Sequence, residues 1–168
     1  AMPRRNAITM LQAAYAFDYV PRSGKLTGIL RGGASSATLT EDDIGAHLFG
    51  ANAVEPWTII RQPAGQLPEQ LEVTFVDPNH NYEPSTQQAR RQAQTGGTVE
   101  RITLALSLTN DEGAEIAETT LHNRHINAEQ YKTTAMPSTI DDVQPAAVLT
   151  TTFDGVNYQY RVVNGDVI

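Results

Sequence analysis

The chain has 168 residues, 40% of them hydrophobic and 18% charged, which supplies enough apolar material for a core and argues against a disordered segment. Its net charge of -7 repels phosphate, so we expect no nucleic-acid partner. The absence of cysteine excludes disulfides, thiolate metal sites and a cysteine nucleophile, and no apolar run reaches the roughly 20 residues of a membrane span.

The N-terminal stretch predicts a helix followed by a hairpin. Asn6 is the expected helix cap, and apolar residues then recur at three- and four-residue steps, namely Ile8, Leu11, Ala14 and Tyr15. The turn-forming cluster 21–25, in which Gly24 can take a positive φ at little cost, predicts a hairpin between two flanking strands.

A capping box predicts a second, short helix. Thr40 is followed three residues later by Asp43, which takes the place of the usual Glu, and the residues between them make the first turn acidic. We therefore expect a helix over residues 42–48.

Three later stretches have the patterns of strands. Residues 57–60 and 71–76 are rich in β-branched and aromatic side chains, and residues 102–108 alternate apolar with small or polar side chains. Between residues 77 and 97 the sequence turns polar and contains two prolines, which predicts a long excursion or an edge hairpin.

The last third of the chain predicts one long helix and three strands. Thr109 and Glu112 form a capping box, which predicts a helix that runs to about His125 despite the penalty of Gly113 in its first turn. Asp154-Gly155 is typical of a tight hairpin between two strands. The predicted strands span residues 130–136, 146–153 and 156–163.

These elements together indicate an α+β fold, mostly antiparallel β in a barrel-like or sandwich-like arrangement, with two to three helices packed on it. We expect a helix-hairpin-helix subdomain over residues 1–50 and a β-rich subdomain with one long helix over residues 51–168, or a single domain over residues 3–168. Ala1-Met2 looks like the remnant of a purification tag, and the chain stops abruptly in strand-like sequence. We therefore expect a piece cut from a longer protein.

Residues 77–81 place oxygen-bearing side chains at alternate positions, as the start of a calcium loop does. Such a loop requires glycine at its sixth position and Glu at its twelfth, where this chain has Tyr82 and Gln88. Asx-rich turns are common for conformational reasons, so we expect no metal here.

His122 and His125 are three residues apart on the predicted helix and share a face. A metal-assisted hydrolase needs a third ligand and a carboxylate base, and no motif such as H-E-x-x-H supplies them. Histidines at a helix end interact favourably with the helix dipole, so we expect no metal and no cofactor.

Acidic residues are numerous, and glycoside cleavage requires only two carboxyl groups at a suitable separation. Most of them stand at predicted helix starts or in loops, where the helix dipole and solvent account for them, namely Glu41, Asp42, Asp43, Asp111, Glu112, Asp141 and Asp142. No nucleotide-binding loop or serine-nucleophile motif is present. We therefore expect no catalytic residue and no enzymatic activity.

A set of individually soft motifs follows one order along nearly the whole chain. The helix-to-hairpin passage 5–26 comes first, then the acidic stretch 38–45. The most specific stretch, LEVTFVDPNHNYEP over residues 71–84, is followed by Ala89-Arg90-Arg91 and by the strand-to-helix passage 106–117. In this order the segments resemble the hub proteins of phage tail tips and the related gene-transfer-agent hub.

The chain departs from the family pattern at two places. After Pro145 the family usually continues with Gly-Asp, whereas this chain has Ala146-Ala147, which leaves the form of the local turn open. His80 and Asn81 stand where the family tends to have charged residues, so no salt bridge is carried over.

The resemblance implies a scaffold of β-barrel-like hub domains that assemble as a homotrimer around the tail axis. It implies a structural role at the virion tail tip, after assembly in the host cytoplasm, and no catalytic residues. The implied partners are other tail proteins: the tail tube or distal tail protein, the tape-measure protein and fibre proteins. No nucleic acid, cofactor or membrane insertion is implied.

Tyr82, Arg90 and Arg91 are the candidate interface residues, because Tyr and Arg are over-represented in interface cores. The polar segment 77–97 could join a neighbouring subunit by strand addition. In the alternative interpretation, Tyr82 holds its own loop and the arginines are solvated.

Two other functions remain open. One is a cell-wall glycan hydrolase module, which loss of glycan cleavage on replacing Asp42, Asp43, Asp111 or Asp142 with Asn would favour. The other is a receptor- or carbohydrate-binding module of the tail tip, for which Trp57 and Tyr158 are the candidate sugar platforms.

Overall fold

The computed structural model describes residues 4–22, 24–47, 49–52, 55–92, 98–139, 143–153 and 155–163. The contacts of the chain divide it into two compact units. The first consists of Ala1–Ala16 and Ile60–Gln130, and the second of Phe17–Ile59 and Tyr131–Ile168. The domain boundary predicted at residue 50 and the single-domain alternative stay predictions.

Two α-helices and ten strands occur within the described residues. The helices are α1 (Arg4–Tyr15) and α2 (Asn110–Ile126). The strands are β1 (Phe17–Arg22), β2 (Lys25–Leu30), β3 (Ala37–Leu39), β4 (Thr58–Arg61), β5 (Pro68–Asp77), β6 (Glu83–Arg90), β7 (Thr98–Ser107), β8 (Glu129–Lys132), β9 (Val148–Phe153) and β10 (Val156–Arg161).

The predicted α+β class is confirmed. Strands β1 and β2 pair as a hairpin, β4 pairs with β8, and two three-stranded sheets have the orders β6-β5-β7 and β10-β9-β3. Three pairings are antiparallel, whereas β5–β7 and β3–β9 are parallel. The described strands close no barrel, so the sandwich-like arrangement is the one that fits.

The expected cap of the first helix is wrong. Helix α1 begins at Arg4, because arginine is a good helix former and the helix extends over both arginines that precede Asn6. Asn6 therefore lies inside the helix. Tyr15 is 55% exposed, so it does not belong to the buried stripe, whereas Ala14 packs against the core.

The helix predicted over residues 42–48 is also wrong beyond its first turn. The capping box forms, with the Asp43 carboxylate accepting from the Thr40 N–H at 2.9 Å, but only a 3-10 turn over Glu41–Asp43 follows. Ile44 instead pairs with Ala135 as an isolated β-bridge, which takes the backbone out of the helical conformation. Position 48 lies outside the described residues.

Both predicted hairpins are confirmed. Arg22 pairs with Lys25 across the first, where Gly24 has a φ of 75°. Phe153 pairs with Val156 across the second, where Gly155 also has a φ of 75°. Of the two alternatives predicted for residues 77–97, the described part forms the edge hairpin, because β6 pairs antiparallel with β5 at the edge of its sheet. Residues 93–97 lie outside the described residues.

Strand β5 is the centre of the first unit. Its alternate residues Leu71, Val73 and Phe75 are 0%, 0% and 1% exposed, and burial of each side chain stabilises the fold by about 1.5–3 kcal/mol. The same core contains one residue of β6, two from β7 and its C-terminal flank, and two of α2, namely Ala89, Leu104, Leu108, Ala117 and Leu121.

Helix α2 begins with the predicted capping box. The Thr109 hydroxyl accepts from the Glu112 N–H at 3.3 Å, and the Glu112 carboxylate accepts from the Thr109 N–H at 2.8 Å. The bond from the Thr109 backbone lowers the pKa of Glu112 below its ordinary value. The two bonds satisfy helix-start donors that would otherwise lack partners.

Gly113 in the first turn of α2 makes room for the ring of Phe75. A Cβ atom at this position would lie 2.2 Å from Cε1 and 2.6 Å from Cζ of Phe75, well inside van der Waals contact. The low helix propensity of glycine is therefore accompanied by close packing of Phe75, the largest fully buried side chain among the described residues, against the helix.

The core of the second unit is smaller. Leu39, Ile44 and Leu149 are its buried residues, and Ala37, Trp57, Val143 and Val162 pack around them. Asp18 of β1 holds two arginines of this unit, Arg31 after β2 at 2.7 Å and Arg161 of β10. Burial by itself would raise the pKa of Asp18, but its bonds with Arg31 and Arg161 lower it.

The turn where the chain departs from the family pattern keeps a glycine-like backbone. The Ala147 N–H donates to the Gln144 carbonyl at 3.0 Å, which closes a four-residue turn with Pro145 second and Ala146 third. Ala146 has a φ of 65°, as a type II turn requires at its third residue. A side chain with Cβ is strained in this region, so the turn is formed at a conformational cost.

Replacing Gly113 with Ala should lower the free energy of unfolding. Overpacking against Phe75 costs about 1–3 kcal/mol, and the gain in helix propensity of about 1 kcal/mol offsets only part of it. Urea unfolding followed by circular dichroism at 222 nm measures the change. The control is Gly65→Ala, because no atom lies within 4 Å of a Cβ at that position. Equal stability of the two variants would contradict the contact.

Replacing Ala146 with Gly should instead stabilise the second unit. Relief of the left-handed strain is worth roughly 1 kcal/mol in the free energy of unfolding. The emission of Trp57, the single tryptophan, follows unfolding of this unit. Ala147→Gly, whose φ is not positive, is the matched control and should destabilise the unit slightly. A stabilisation in both variants would argue against the strain.

Candidate functional site

The turn between β5 and β6 is built around the buried carboxylate of Asp77. Asp77 is 0% exposed and accepts hydrogen bonds from the Asn79 N–H at 2.8 Å, from His80 Nδ1 at 2.6 Å and from Asn110 Nδ2 at 3.2 Å. The bond from the Asn79 backbone, followed by the bond from His80, lowers the pKa of Asp77. The carboxylate is therefore charged and fully engaged at neutral pH.

Asn110 extends this network to the edge strand. Its Oδ1 atom accepts from the Ser85 hydroxyl at 2.9 Å and from Gln87 Nε2 at 3.1 Å, while its Nδ2 atom donates to Asp77. One amide at the start of α2 thus links the end of β5 to two residues of β6. The network fixes where the helix and the edge strand begin.

The same turn presents Tyr82 to solvent. Asn81 and Tyr82 have φ values of 52° and 58°, and the Tyr82 N–H donates to the Asp77 carbonyl at 3.0 Å. The Tyr82 side chain is 68% exposed. Its backbone therefore helps to close the turn, and its ring is available to a partner.

The structure assigns the Asx-rich turn a conformational role in the first unit. The oxygens of Asp77 already bond to groups of the protein, two of them within the turn itself. Within the described ranges, no group of three or more His, Asp or Glu residues could hold a metal ion. Neither described helix is both long and apolar enough to cross a membrane.

Arg90 and Arg91 both have partners within the first unit. Arg90 Nη2 lies 3.1 Å from the carboxylate of Glu69, whose side chain is 6% exposed, while the arginine side chain is 65% exposed. Arg91 Nη1 donates to Nδ1 of His125 at 2.6 Å. The alternative interpretation, in which both arginines are only solvated, therefore leaves out these two bonds. Both arginine side chains also retain exposed surface.

His125 is held at both of its ring nitrogens. Arginine can only donate, so Nδ1 accepts from Arg91, and Nε2 carries the proton that it donates to the Pro68 carbonyl at 2.9 Å. His122 is exposed on the same helix. At most one histidine of this pair, His122, is therefore in a position to bind a metal through its ring nitrogens.

The three candidate interface residues do not meet at one point. Tyr82 immediately precedes β6, whereas Arg90 is its last residue, so the two lie about 25 Å apart along the strand. Arg91 follows Arg90 directly. What they share is the edge of the sheet formed by β6.

The outer side of β6 has backbone groups without a strand partner in the described structure. The Arg91 N–H donates to the Glu69 carbonyl at 3.0 Å, and bonding direction alternates along an antiparallel strand. The backbone groups of Thr86, Gln88 and Arg90 therefore point away from β5. Pro84 also occupies an outward position, where its missing N–H costs no bond within the sheet.

The candidate catalytic acids have structural settings where the structure describes them. Asp43 and Glu112 bond to the threonines of their capping boxes. Asp42 is exposed in the 3-10 turn Glu41–Asp43, and Asp111 is exposed in the first turn of α2, where the helix dipole favours a negative charge. Asp141 and Asp142 lie outside the described residues.

Trp57 and Tyr158, singled out as sugar platforms, line one open cavity of about 200 Å³ in the second unit. Its other lining residues are Ile59, Tyr131, Thr151 and Tyr160. Sequence reasoning missed two of the rings. The alternation along β10 could have indicated Tyr160 beside Tyr158, whereas no local pattern indicates Tyr131.

Comparisons with known proteins point to one class. The family described as "Putative phage tail protein" matches residues 3–164. The chain is similar to part of a native gene transfer agent virion, with a TM-score of 0.85 and 18% identity over 96% of this chain and 36% of that one. It is also similar to a tail protein from Neisseria meningitidis MC58, with a TM-score of 0.55 and 13% identity over 93% of this chain and 47% of that one.

At these identities the two structures show a shared fold, and this chain spans less than half of either. No curated protein matches the chain.

Replacing Asp77 with Asn should destabilise the first unit at neutral pH and reduce its sensitivity to acid. The folded-state pKa of Asp77 lies below its ordinary value of 3.8, so its stabilising contribution is present above about pH 4 and is lost as the pH falls through the lowered pKa. Melting temperatures of both proteins between about pH 7 and pH 2 measure this. The difference between them should narrow in acid.

Glu118→Gln, at an exposed position of α2, is the control and should track the parent chain at every pH. A constant difference between Asp77→Asn and the parent down to the lowest pH would contradict the role of the charge.

Proposed function

Because the chain belongs to the phage tail protein family, we propose that it is a segment of the baseplate hub at the tip of a phage-like tail. The observation that carries the proposal is its agreement with part of a gene transfer agent virion over 96% of its own length, although it spans only 36% of that longer chain. A segment of a longer hub protein accounts for both proportions. The tail is assembled in the host cytoplasm.

The role proposed is structural. In the intact parent, the hub forms a homotrimer around the tail axis and links the tail tube or distal tail protein and the tape-measure protein to fibre proteins. No enzymatic step is assigned to this segment. In support, Asp43 and Glu112 are engaged in capping boxes, and Asp77 is engaged in its turn.

The β6 edge is the proposed contact with a neighbouring tail subunit. Strand addition there would use the outward N–H groups of Thr86, Gln88 and Arg90, and main-chain bonds of this kind bind an extended partner. Tyr82 at one end and Arg90 and Arg91 at the other would contact the partner beyond the strand itself. Both residue types are enriched in interface cores.

The position in the particle is tested by labelling. An epitope tag on the chain, detected by gold-conjugated antibody in electron micrographs of intact particles, should mark the end of the tail distal to the capsid. Light scattering of the released hub should give three copies per complex. Labels along the tail shaft or on the capsid would contradict the proposal.

The contact is tested in the same particles with a matched pair of variants. Gln88→Pro removes one outward N–H and spares the pairing with β5. Gln88→Ala removes the same side chain, including its bond with Gln70, but keeps the N–H. We expect incorporation of the proline variant to fall by roughly tenfold, the equivalent of one or two main-chain hydrogen bonds. Equal incorporation of two folded variants would rule out the β6 contact.

A further inference from the structure

The second unit has an aromatic cleft, formed by Trp57, Tyr131, Tyr158 and Tyr160. The rings of Trp57 and Tyr131 meet edge to face, with centroids 5.9 Å apart and planes at 86°. Tyr158 and Tyr160 follow each other on β10 with nearly parallel rings, 6.2 Å apart at 22°. The ring of Tyr160 also contacts the rings of Trp57 and Tyr131, so the four rings form one continuous surface.

This surface is open to solvent. Tyr158 is 43% exposed and Tyr131 is 36% exposed, and the neighbouring Ile59 is 49% exposed. A ligand that covers large, exposed apolar side chains removes their surface from water, which favours binding. A contiguous cluster of such side chains indicates a binding site more often than single exposed residues do. The cavity that they line has room for a small ring and is too small for a drug-sized ligand.

A hydroxyl group lies at the floor of the cleft. Thr151 of β9 pairs with Tyr158 across the sheet, lines the cavity and is 2% exposed. Its hydroxyl is a hydrogen-bonding group that Thr151 offers to an occupant of the cavity. A ligand hydroxyl placed beside it would form a hydrogen bond that an apolar ligand cannot form.

The chemistry of the lining selects the ligand. None of the six lining residues is charged, so a phosphate, carboxylate or ammonium group would lose hydration without meeting an opposite charge. A purely apolar occupant would remove water from the cavity beside the Thr151 hydroxyl without offering a hydrogen bond in its place. A neutral ring with one face of C–H groups and hydroxyls at its edge satisfies both conditions.

We infer that the aromatic cleft binds a single neutral pyranose unit of a glycan, with its C–H face on the rings of Tyr158 and Trp57 and one hydroxyl bonded to Thr151. The inference concerns a ligand of the second unit. It does not depend on where the chain lies in a tail, because it rests on the cleft alone.

Trp57 makes the test direct, since it is the only tryptophan of the chain and lines the cleft. Its indole N–H gives a single resonance in a nitrogen-15 correlation spectrum of the full chain. Titration with N-acetylglucosamine, glucose, galactose and rhamnose should shift this resonance saturably for at least one sugar. No shift with any of them would overturn the inference, as would a shift with tetramethylammonium alone.

Two variants identify the contacts. Tyr158→Ala should weaken binding by about tenfold, which corresponds to roughly 1.4 kcal/mol and is within the range for aromatic stacking. Thr151→Val keeps the shape and removes the hydroxyl, so it should also weaken sugar binding, whereas an apolar ligand would bind equally well or better. Tyr15→Ala removes an exposed tyrosine of the first unit and is the control.

Circular dichroism verifies that each variant is folded. Unchanged binding by both Tyr158→Ala and Thr151→Val, or an equal loss in Tyr15→Ala, would overturn the assignment. Failure of the sugar titration would leave the labelling result at the tail tip unaffected, so the two proposals fail separately.

Discussion

A carboxylate removed from water is destabilised unless hydrogen bonds replace its hydration, and the Asp77 side chain has no exposed surface at the end of the central strand β5. Its donors come from the turn backbone, from His80 and from Asn110 at the start of α2. The turn, the helix start and, through Asn110, the edge strand all depend on this one charge. The arrangement also turns Tyr82 outward, at the end of the edge proposed for assembly.

Local patterns predicted the local elements of this fold. The capping box of Thr109 and Glu112, the alternation in β7 and the hairpin glycines all act within a few residues, and each appears where the sequence indicates. The failure at the second predicted helix comes from a distant partner. The helix after Thr40 stops because Ile44 pairs with Ala135, some ninety residues later, and no local signal encodes that pairing.

The candidate site residues show the same contrast between local sequence signals and contacts that form over long distances in the chain. The residue types of Tyr82, Arg90 and Arg91 predict interface residues, but an extended strand separates Tyr82 from the two arginines. Trp57 and Tyr158 are a hundred residues apart and were singled out only as aromatic residues, yet they line one cavity. Residue type thus indicated which side chains to consider. Their grouping required the pairing of β9 with β10 and of β4 with β8, because these four strands supply the other lining residues of the cavity.

The interleaving of the two units along the chain has a consequence for synthesis. Synthesis of the first unit is nearly complete once α2 has left the ribosome. In the second unit, β3 cannot pair until β9 has been synthesised, and the Ser36–Val148 hydrogen bond spans 112 positions. Loops that close over such distances form late, since closure entropy must be overcome before the contacts form. During translation, Leu39 and Ile44 therefore remain uncovered while the β5 sheet folds. A nascent chain of this kind is most vulnerable to mispairing in that interval, and slower elongation before β9 would lengthen it.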